Sequence, residues 1–266
     1  MRHLAAFAIL LCLAAAAPAP AAAQSGAEQA RIRFAIERGR LLFELDRAAW
    51  VGTDDMMERI RDAASSGMRG YVVERDGAGY AVTFFGGPED APVAFYRGRV
   101  ENRRVVGREI FPATARPALT PAQRRLAAIR LMAAGLGRRP CGDQPFNTAA
   151  IPPETEGAPI DLYLLTPQVR RDAWPLGGHY RATINADGTV ASSRAFMNSC
   201  MEMARREGAL AFVVSHLLDP VPTEIHVFTA LTSGVQLYVA AGGATYRVDG
   251  DSISQIDAPG ATPPKT

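Results

Sequence analysis

The sequence predicts an α+β protein in which antiparallel β-meanders dominate and one well-capped helix, residues 121–136, bridges two β-rich halves. Three observations support this fold class. From Gly70 onward, apolar residues recur at every second position, which is the period of a β-strand. A complete set of helix-start residues stands at Thr120, and a second series of short strand-like segments follows Cys141. Because short consecutive strands usually pair with their neighbours, both halves are expected to be antiparallel meanders.

The first 23 residues have the features of a secretory signal peptide. A positive start at Arg2 precedes an apolar run over residues 5–17, and an A-x-A pattern stands just before Gln24. This run is too short and too rich in alanine for a membrane span, and no later segment is apolar over about 18 residues. We therefore expect cleavage near Ala23, a soluble mature chain without a membrane span, and a location in the periplasm or outside the cell.

Charge composition argues against a nucleic-acid-binding protein. The chain has 29 lysines and arginines against 27 acidic residues, and no basic run exceeds two residues. Nucleic-acid binding requires clustered positive charge, and here the arginines alternate with acids. The expected partner is instead an unidentified protein or small-molecule ligand in the cell envelope.

Three cysteines occur, and Cys12 belongs to the predicted signal peptide. Cys141 and Cys200 remain as an even pair in an exported chain, and an oxidising compartment favours a disulfide between them. The alternative is two free thiols, one of which could be catalytic.

Residues 24–118 are expected to form an N-terminal β-meander region. It opens with a helix-compatible stretch at 24–38, a strand from Gly39 to Asp46, and a short helix at 54–60 with Thr53 as its N-cap. Four strands follow at 71–75, 80–85, 93–97 and 104–111. The first two are joined through Asp76-Gly77, a strong hairpin signal.

Residues 119–139 contain the bridging helix. Thr120 can accept a hydrogen bond from the amide of Gln123, whose side chain can reach back, and Pro121 suits the first helical position. Apolar residues at 126, 129, 132, 133 and 136 share one face, and Gly137 is a natural stop.

Residues 140–256 are expected to be a C-terminal β-rich region that contains the disulfide, followed by a disordered tail at 257–266. Strands are predicted at 160–165, 180–185, 189–196, 210–218, 224–231, 235–240 and 245–248, and a short helical turn at 201–207.

His216 and His226 stand in two of these strands, and the register of their hairpin decides whether they meet. If Leu218 pairs with Thr223, the loop has four residues and the histidines face opposite sides. If Leu218 pairs with Glu224, the loop has five residues and the histidines are opposed, with Cβ atoms about 5 Å apart. That spacing suits zinc or copper with a third ligand. Prolines at 220 and 222 belong in the loop because they lack an amide, which favours the four-residue loop.

His179 and Arg181 are candidate ligand-binding residues. On a strand through this segment they share a polar face, where they would be solvated or would line a surface site. The preceding Gly177-Gly178 pair either lets a ligand approach the backbone or lets the chain bend.

Two other motifs have simple structural interpretations. The segment 185–188, Asn-Ala-Asp-Gly, resembles part of a calcium loop, but Thr183 stands where an acid is required, so a turn is favoured. Ser215 and His216 cannot form a nucleophile–base pair from one strand, because adjacent strand residues point to opposite faces.

Five segments, at 160–168, 177–181, 186–188, 199–200 and 216–228, resemble a group of uncharacterised exported proteins of alphaproteobacteria, of the sphingomonad type. The similarity is clearest over residues 140–240. The resemblance implies a bacterial, periplasmic protein, and it brings no known activity.

The sequence contains no phosphate-binding loop, dinucleotide glycine motif or nucleophile elbow. We therefore expect an exported protein without an assigned activity, most simply a non-enzymatic periplasmic binding or envelope-associated module that needs no cofactor. The alternative is a metal-dependent hydrolase that uses His216, His226 and Glu224 with zinc or copper.

Overall fold

A computed structural model describes residues 25–62, 67–208 and 210–256. The predicted signal peptide and the tail 257–266 lie outside the described residues. The structure is α+β and rich in antiparallel strands, which confirms the predicted fold class. No helix in the described part of the chain is long and apolar enough to cross a membrane.

The chain begins with one long helix, α1, Gly26–Arg59. A capping box between Ser25 and Glu28 starts it. The strand predicted from Gly39 to Asp46 is therefore wrong, and Thr53 is no N-cap: it lies inside the helix and donates its hydroxyl to the Ala49 carbonyl at 2.7 Å. Buried residues recur at helical spacing along α1, at 32, 35, 39, 42, 45, 48, 49, 52 and 56. This period of three to four is the signal that the glycine at 39 obscured.

Four antiparallel strands follow in sequence order: β1 Met68–Asp76, β2 Gly79–Gly86, β3 Val93–Glu101 and β4 Arg104–Ile110. This confirms the predicted meander. Strand β2 is buried along its whole length. Its Val82 and Phe84 join the core that contains α1, whereas Phe85 joins a second core with the next helix.

That helix, α2 Pro121–Leu131, continues as a 3₁₀ turn, Met132–Leu136. Thr120 and Gln123 form the predicted capping box, and Gly137 ends the turn in the left-handed conformation. The bridging helix is therefore confirmed at both ends.

A second sheet has the order β5-β6-β8-β9, with β5 Asn147–Ala150, β6 Ile160–Leu165, β8 Tyr180–Ile184 and β9 Val190–Ala195. Beside it, β7 Ala173–Pro175 pairs with β10 Glu202–Ala204. The helical turn predicted at 201–207 is wrong, since the short strand Glu202–Ala204 lies within it. Cys141 and Cys200 form the predicted disulfide, with Cα atoms 5.5 Å apart.

The last sheet has the order β11-β12-β13-β14, formed by Ala211–Ser215, Gln236–Ala241, Ala244–Asp249 and Ser252–Ile256. Strands β11 and β12 are parallel, and helix α3, Glu224–Ser233, connects them. The strand predicted at 224–231 is therefore wrong. Eight of the ten α3 residues are buried, so the helix has no polar face to reveal its period.

Candidate functional site

His216 and His226 do meet, although no hairpin joins them. His216 follows β11, His226 lies in the first turn of α3, and the ring centroids are 4.7 Å apart at 82°. Both side chains are buried. The favoured four-residue hairpin loop, which separates the histidines, is wrong because the chain crosses from β11 to a parallel neighbour through a helix.

A chain of charged hydrogen bonds holds His216. Its Nε2 donates to Asp219 at 2.8 Å, and both carboxylate oxygens of Asp219 accept from the Arg194 guanidinium at 2.9 and 2.6 Å. Partial burial alone would raise the pKa of the Asp219 carboxyl, but the bonds from His216 and Arg194 outweigh it and hold that pKa well below its usual range. Asp219 is therefore an anion at neutral pH, and its hydrogen bond fixes the His216 ring.

The hydrogen bonds of His226 determine which nitrogen carries the proton. Its Nδ1 accepts from the backbone N–H of Thr223 at 3.0 Å, so the neutral ring carries its proton on Nε2. Burial and the neighbouring His216 lower the pKa of His226 to about 3. Since Nε2 is protonated and Nδ1 is engaged, this ring has no free lone pair for a metal ion.

The Glu224 carboxylate is hydrogen-bonded to residues other than the two histidines. Its Oε1 accepts from Tyr163 at 2.9 Å and from Arg181 at 2.7 Å. Among the described residues no group of three or more histidine, cysteine or acidic side chains is arranged to hold a metal ion. His216, His226 and Glu224 are thus each engaged in a hydrogen bond within the fold.

His179 lies just before β8, so strand alternation does not apply to it, and the expectation of a solvated polar face is wrong. Its side chain is buried, with Nδ1 accepting from the Thr166 amide at 3.2 Å and Nε2 donating to the Pro175 carbonyl at 3.0 Å. Burial lowers the pKa of His179 to about 4. With both nitrogens engaged, this histidine joins three chain segments and offers no group to a ligand.

Arg181 stands directly opposite Arg194 across β8 and β9. Like charges at such positions repel, and the Glu224 and Asp219 carboxylates neutralise them. An open cleft of about 490 Å³ lies between these pairs and the start of α1. In this cleft Arg181 pairs with Glu224 and Arg194 with Asp219, and Arg31 adds a further positive charge.

A different, narrow pocket of about 40 Å³ has both tryptophans of the chain, Trp50 and Trp174, in its lining. We call it the indole pocket. Helix α1, helix α3 and the ends of β5, β6 and β7 supply its walls, which are formed by Asp46, Arg47, Trp50, Asn147, Leu165, Thr166, Gln168, Trp174, Pro175, Phe228, Thr229 and Thr232.

Buried polar atoms without a protein partner cluster in the residues that form this pocket. In the described part of the chain seven such side-chain atoms occur, and three belong to the pocket lining: Arg47 Nε, Thr229 Oγ1 and Thr232 Oγ1. In native proteins nearly all buried polar groups have hydrogen-bond partners, and each buried group left without one costs about 1–3 kcal/mol. Three in one pocket indicate a place where hydrogen-bond partners come from outside the protein.

Asp46 adds an unusual carboxyl group to the pocket. Burial raises the pKa of Asp46 to about 6, although the Arg47 guanidinium 3.5 Å away lowers it. Trp50 is 51% exposed, and its ring lies 5.2 Å from the Arg47 guanidinium carbon, whereas Trp174 is mostly buried. The pocket therefore combines one accessible indole, one buried indole and a charge-balanced pair.

Sequence reasoning missed this pocket because residues 39–46 of helix α1 and residues 224–231 of helix α3 were predicted as strands. Thr229 and Thr232 are three residues apart, so they share a face of a helix but lie on opposite faces of a strand. Asp46 and Trp50 are four apart, one turn of α1. Helical spacing of these two pairs is the signal that could have identified the site.

Comparisons with protein-family models, with curated proteins and with solved structures found no match to this chain.

Proposed function

We propose that this protein is an exported, non-enzymatic binding module and that the indole pocket is its ligand site. One observation carries the proposal: three buried polar atoms without protein partners and both tryptophans of the chain occur together in the lining of one pocket. Ligand sites typically combine apolar and aromatic walls with a few polar groups.

The state of the histidines supports binding over catalysis. His179 is engaged at both ring nitrogens, His226 at Nδ1 and His216 at Nε2, all in bonds within the fold. General base catalysis requires a group of suitable pKa within reach of the proton it removes. The depressed pKa values of His179 and His226 suit neutral structural groups.

Export is supported by the signal-like N-terminus of the sequence and by the Cys141–Cys200 disulfide, a bond that persists in oxidising compartments. Expression of the full chain in a Gram-negative host should give a periplasmic or secreted product whose first residue is Gln24. An uncleaved product retained in the cytoplasm would contradict this part of the proposal.

Intrinsic fluorescence gives a direct test of binding, because both tryptophans report on the same pocket. The purified mature protein is screened against a library of small envelope metabolites, and thermal stabilisation is measured in parallel. A true ligand should shift the tryptophan emission and raise the melting temperature together.

The matched variants are T229V/T232V and T83V. Thr83 also has a buried hydroxyl without a partner but lies on β2, outside the pocket. Binding should be lost in the double variant and kept in T83V. Compounds that stabilise the protein without changing tryptophan emission, or that bind the double variant normally, would show that the ligand site is elsewhere.

A further inference from the structure

The charge balance of the indole pocket restricts what it can bind. Asp46 and Arg47 are its charged lining residues, and they lie beside each other with 3.5 Å between Oδ2 and a guanidinium nitrogen. An added anion would face the carboxylate, and an added cation would face the guanidinium. Burying a charge without a partner is strongly unfavourable, so a neutral ligand is accommodated best.

The unmet hydrogen-bonding groups define a second restriction. Arg47 Nε–H can only donate, and the hydroxyls of Thr229 and Thr232 can each donate and accept. Asn147 and Gln168 add side-chain amides to the lining. A ligand that matches these groups must itself both donate and accept hydrogen bonds at several adjacent positions. A chain or ring of hydroxyl groups has this property.

The indoles supply the apolar part. Trp50 lies half-exposed in the lining and can cover the C–H face of a ring, whereas Trp174 is 8% exposed and forms part of the wall. Amphipathic aromatic side chains suit ligands with one apolar and one polar side. The pocket has room for about 40 Å³, so a single substituent, such as a hydroxyl or hydroxymethyl group, fits inside it.

We infer that the indole pocket binds a neutral polyhydroxylated ring at its mouth, that is, an uncharged saccharide or the uncharged end of a glycan, and that one substituent of the ring enters the 40 Å³ pocket. This inference rests on the proposed binding function, and it adds the chemical class of the ligand. The ring lies against Trp50, and one of its hydroxyl-bearing substituents bonds to Arg47, Thr229 and Thr232.

Charge-matched sugar series test the inference. The full mature protein is titrated, by tryptophan fluorescence and calorimetry, with neutral monosaccharides, disaccharides and polyols, each beside its uronic acid and amino-sugar counterpart; glucose, glucuronate and glucosamine form one such set. At least one neutral compound should bind, with a Kd at least about tenfold below those of its charged counterparts, because an unpaired charge is costly to bury. That binding should disappear in T229V and persist in T83V.

Three results would overturn the inference. A charged member that binds as tightly as its neutral counterpart refutes the neutral class. Pocket-dependent binding of apolar compounds alone refutes the hydroxylated class while leaving the binding function intact. No response to any sugar refutes the saccharide inference, and the metabolite library then decides separately whether the pocket binds anything.

Discussion

Replacing Thr229 with valine should make the ligand-free protein more stable, although the same change should abolish binding. Thr229 is 2% exposed, and among the described residues its hydroxyl has no hydrogen-bond partner. In the unfolded chain water forms hydrogen bonds with that hydroxyl, and these bonds are lost when the protein folds. Valine has almost the same shape and similar helix propensity but no polar group to desolvate.

Mutational data place the cost of such an unmade hydrogen bond at about 1–3 kcal/mol. We expect T229V to raise the free energy of unfolding by about 1 kcal/mol, at the low end of this range. For a domain of this size the melting temperature should rise by about 2–4 °C.

The assay is urea and thermal unfolding of the wild type, T229V and T166V. Thr166 is a matched control for which the same substitution should lower stability. Its hydroxyl donates to the Gly178 carbonyl at 2.9 Å and accepts from the Cys141 amide at 3.3 Å. T166V leaves both backbone groups unpaired and should destabilise by about 1–3 kcal/mol. If T229V loses as much stability as T166V, the Thr229 hydroxyl has a partner and the reasoning about the pocket fails.

Two further predictions concern stability. Replacing Cys141 and Cys200, which are 59 positions apart, with serine should lower the free energy of unfolding by about 4 kcal/mol in the chain-entropy model; urea midpoints of reduced and oxidised wild type that coincide would contradict it. Acidification should also destabilise the fold, because burial lowers the pKa of His179 to about 4 and that of His226 to about 3, below the usual histidine value of about 6.5. The unfolded chain therefore binds more protons than the folded chain as the pH falls below about 6.5. At pH 5 each histidine costs about 2 kcal/mol relative to pH 7.5, and protonation of Asp46, whose pKa is raised to about 6, returns about 1 kcal/mol, a net loss of about 3 kcal/mol. Urea unfolding at the two pH values measures this difference, and equal stability at both would refute the buried neutral state of the histidines.

Local rules account for the parts of the fold that the sequence predicted correctly. The meander from β1 to β4 follows from strict alternation and from the Asp76-Gly77 turn. Helix α2 follows from a capping box whose members stand three residues apart. The disulfide follows from an even cysteine pair in a chain with a signal-like start. Each of these signals is complete within a short segment or a simple count.

The incorrect predictions share a cause, which is tertiary packing. At Gly39 an added Cβ would lie 2.6 Å from the Val227 Cβ, so this glycine permits α1 to touch α3 and does not break the helix. Helix α3 contains several β-branched residues and is buried on nearly all sides. A strand that is covered on both faces has the same kind of sequence. The parallel pairing of β11 with β12 is what distinguishes a helix from a strand here, because parallel neighbours require a crossover connection.

The segments 39–46 and 224–231, which were predicted as strands, belong to the helices that supply walls of the candidate site, so the error in secondary structure is also the reason that the site was missed. Glu224 and His226, in the first turn of α3, bond to Arg181 and to the Thr223 amide, and these bonds fasten the start of the helix. Thr229 and Thr232 lie beyond that turn and line the indole pocket. Glu224 and His226, which sequence reasoning selected as possible metal ligands, therefore contribute to the pocket indirectly. They hold the start of the helix that carries the unpaired threonine hydroxyls. A substitution such as E224Q should weaken ligand binding only by loosening α3, and the accompanying loss of stability distinguishes it from T229V, which removes binding while stabilising the fold.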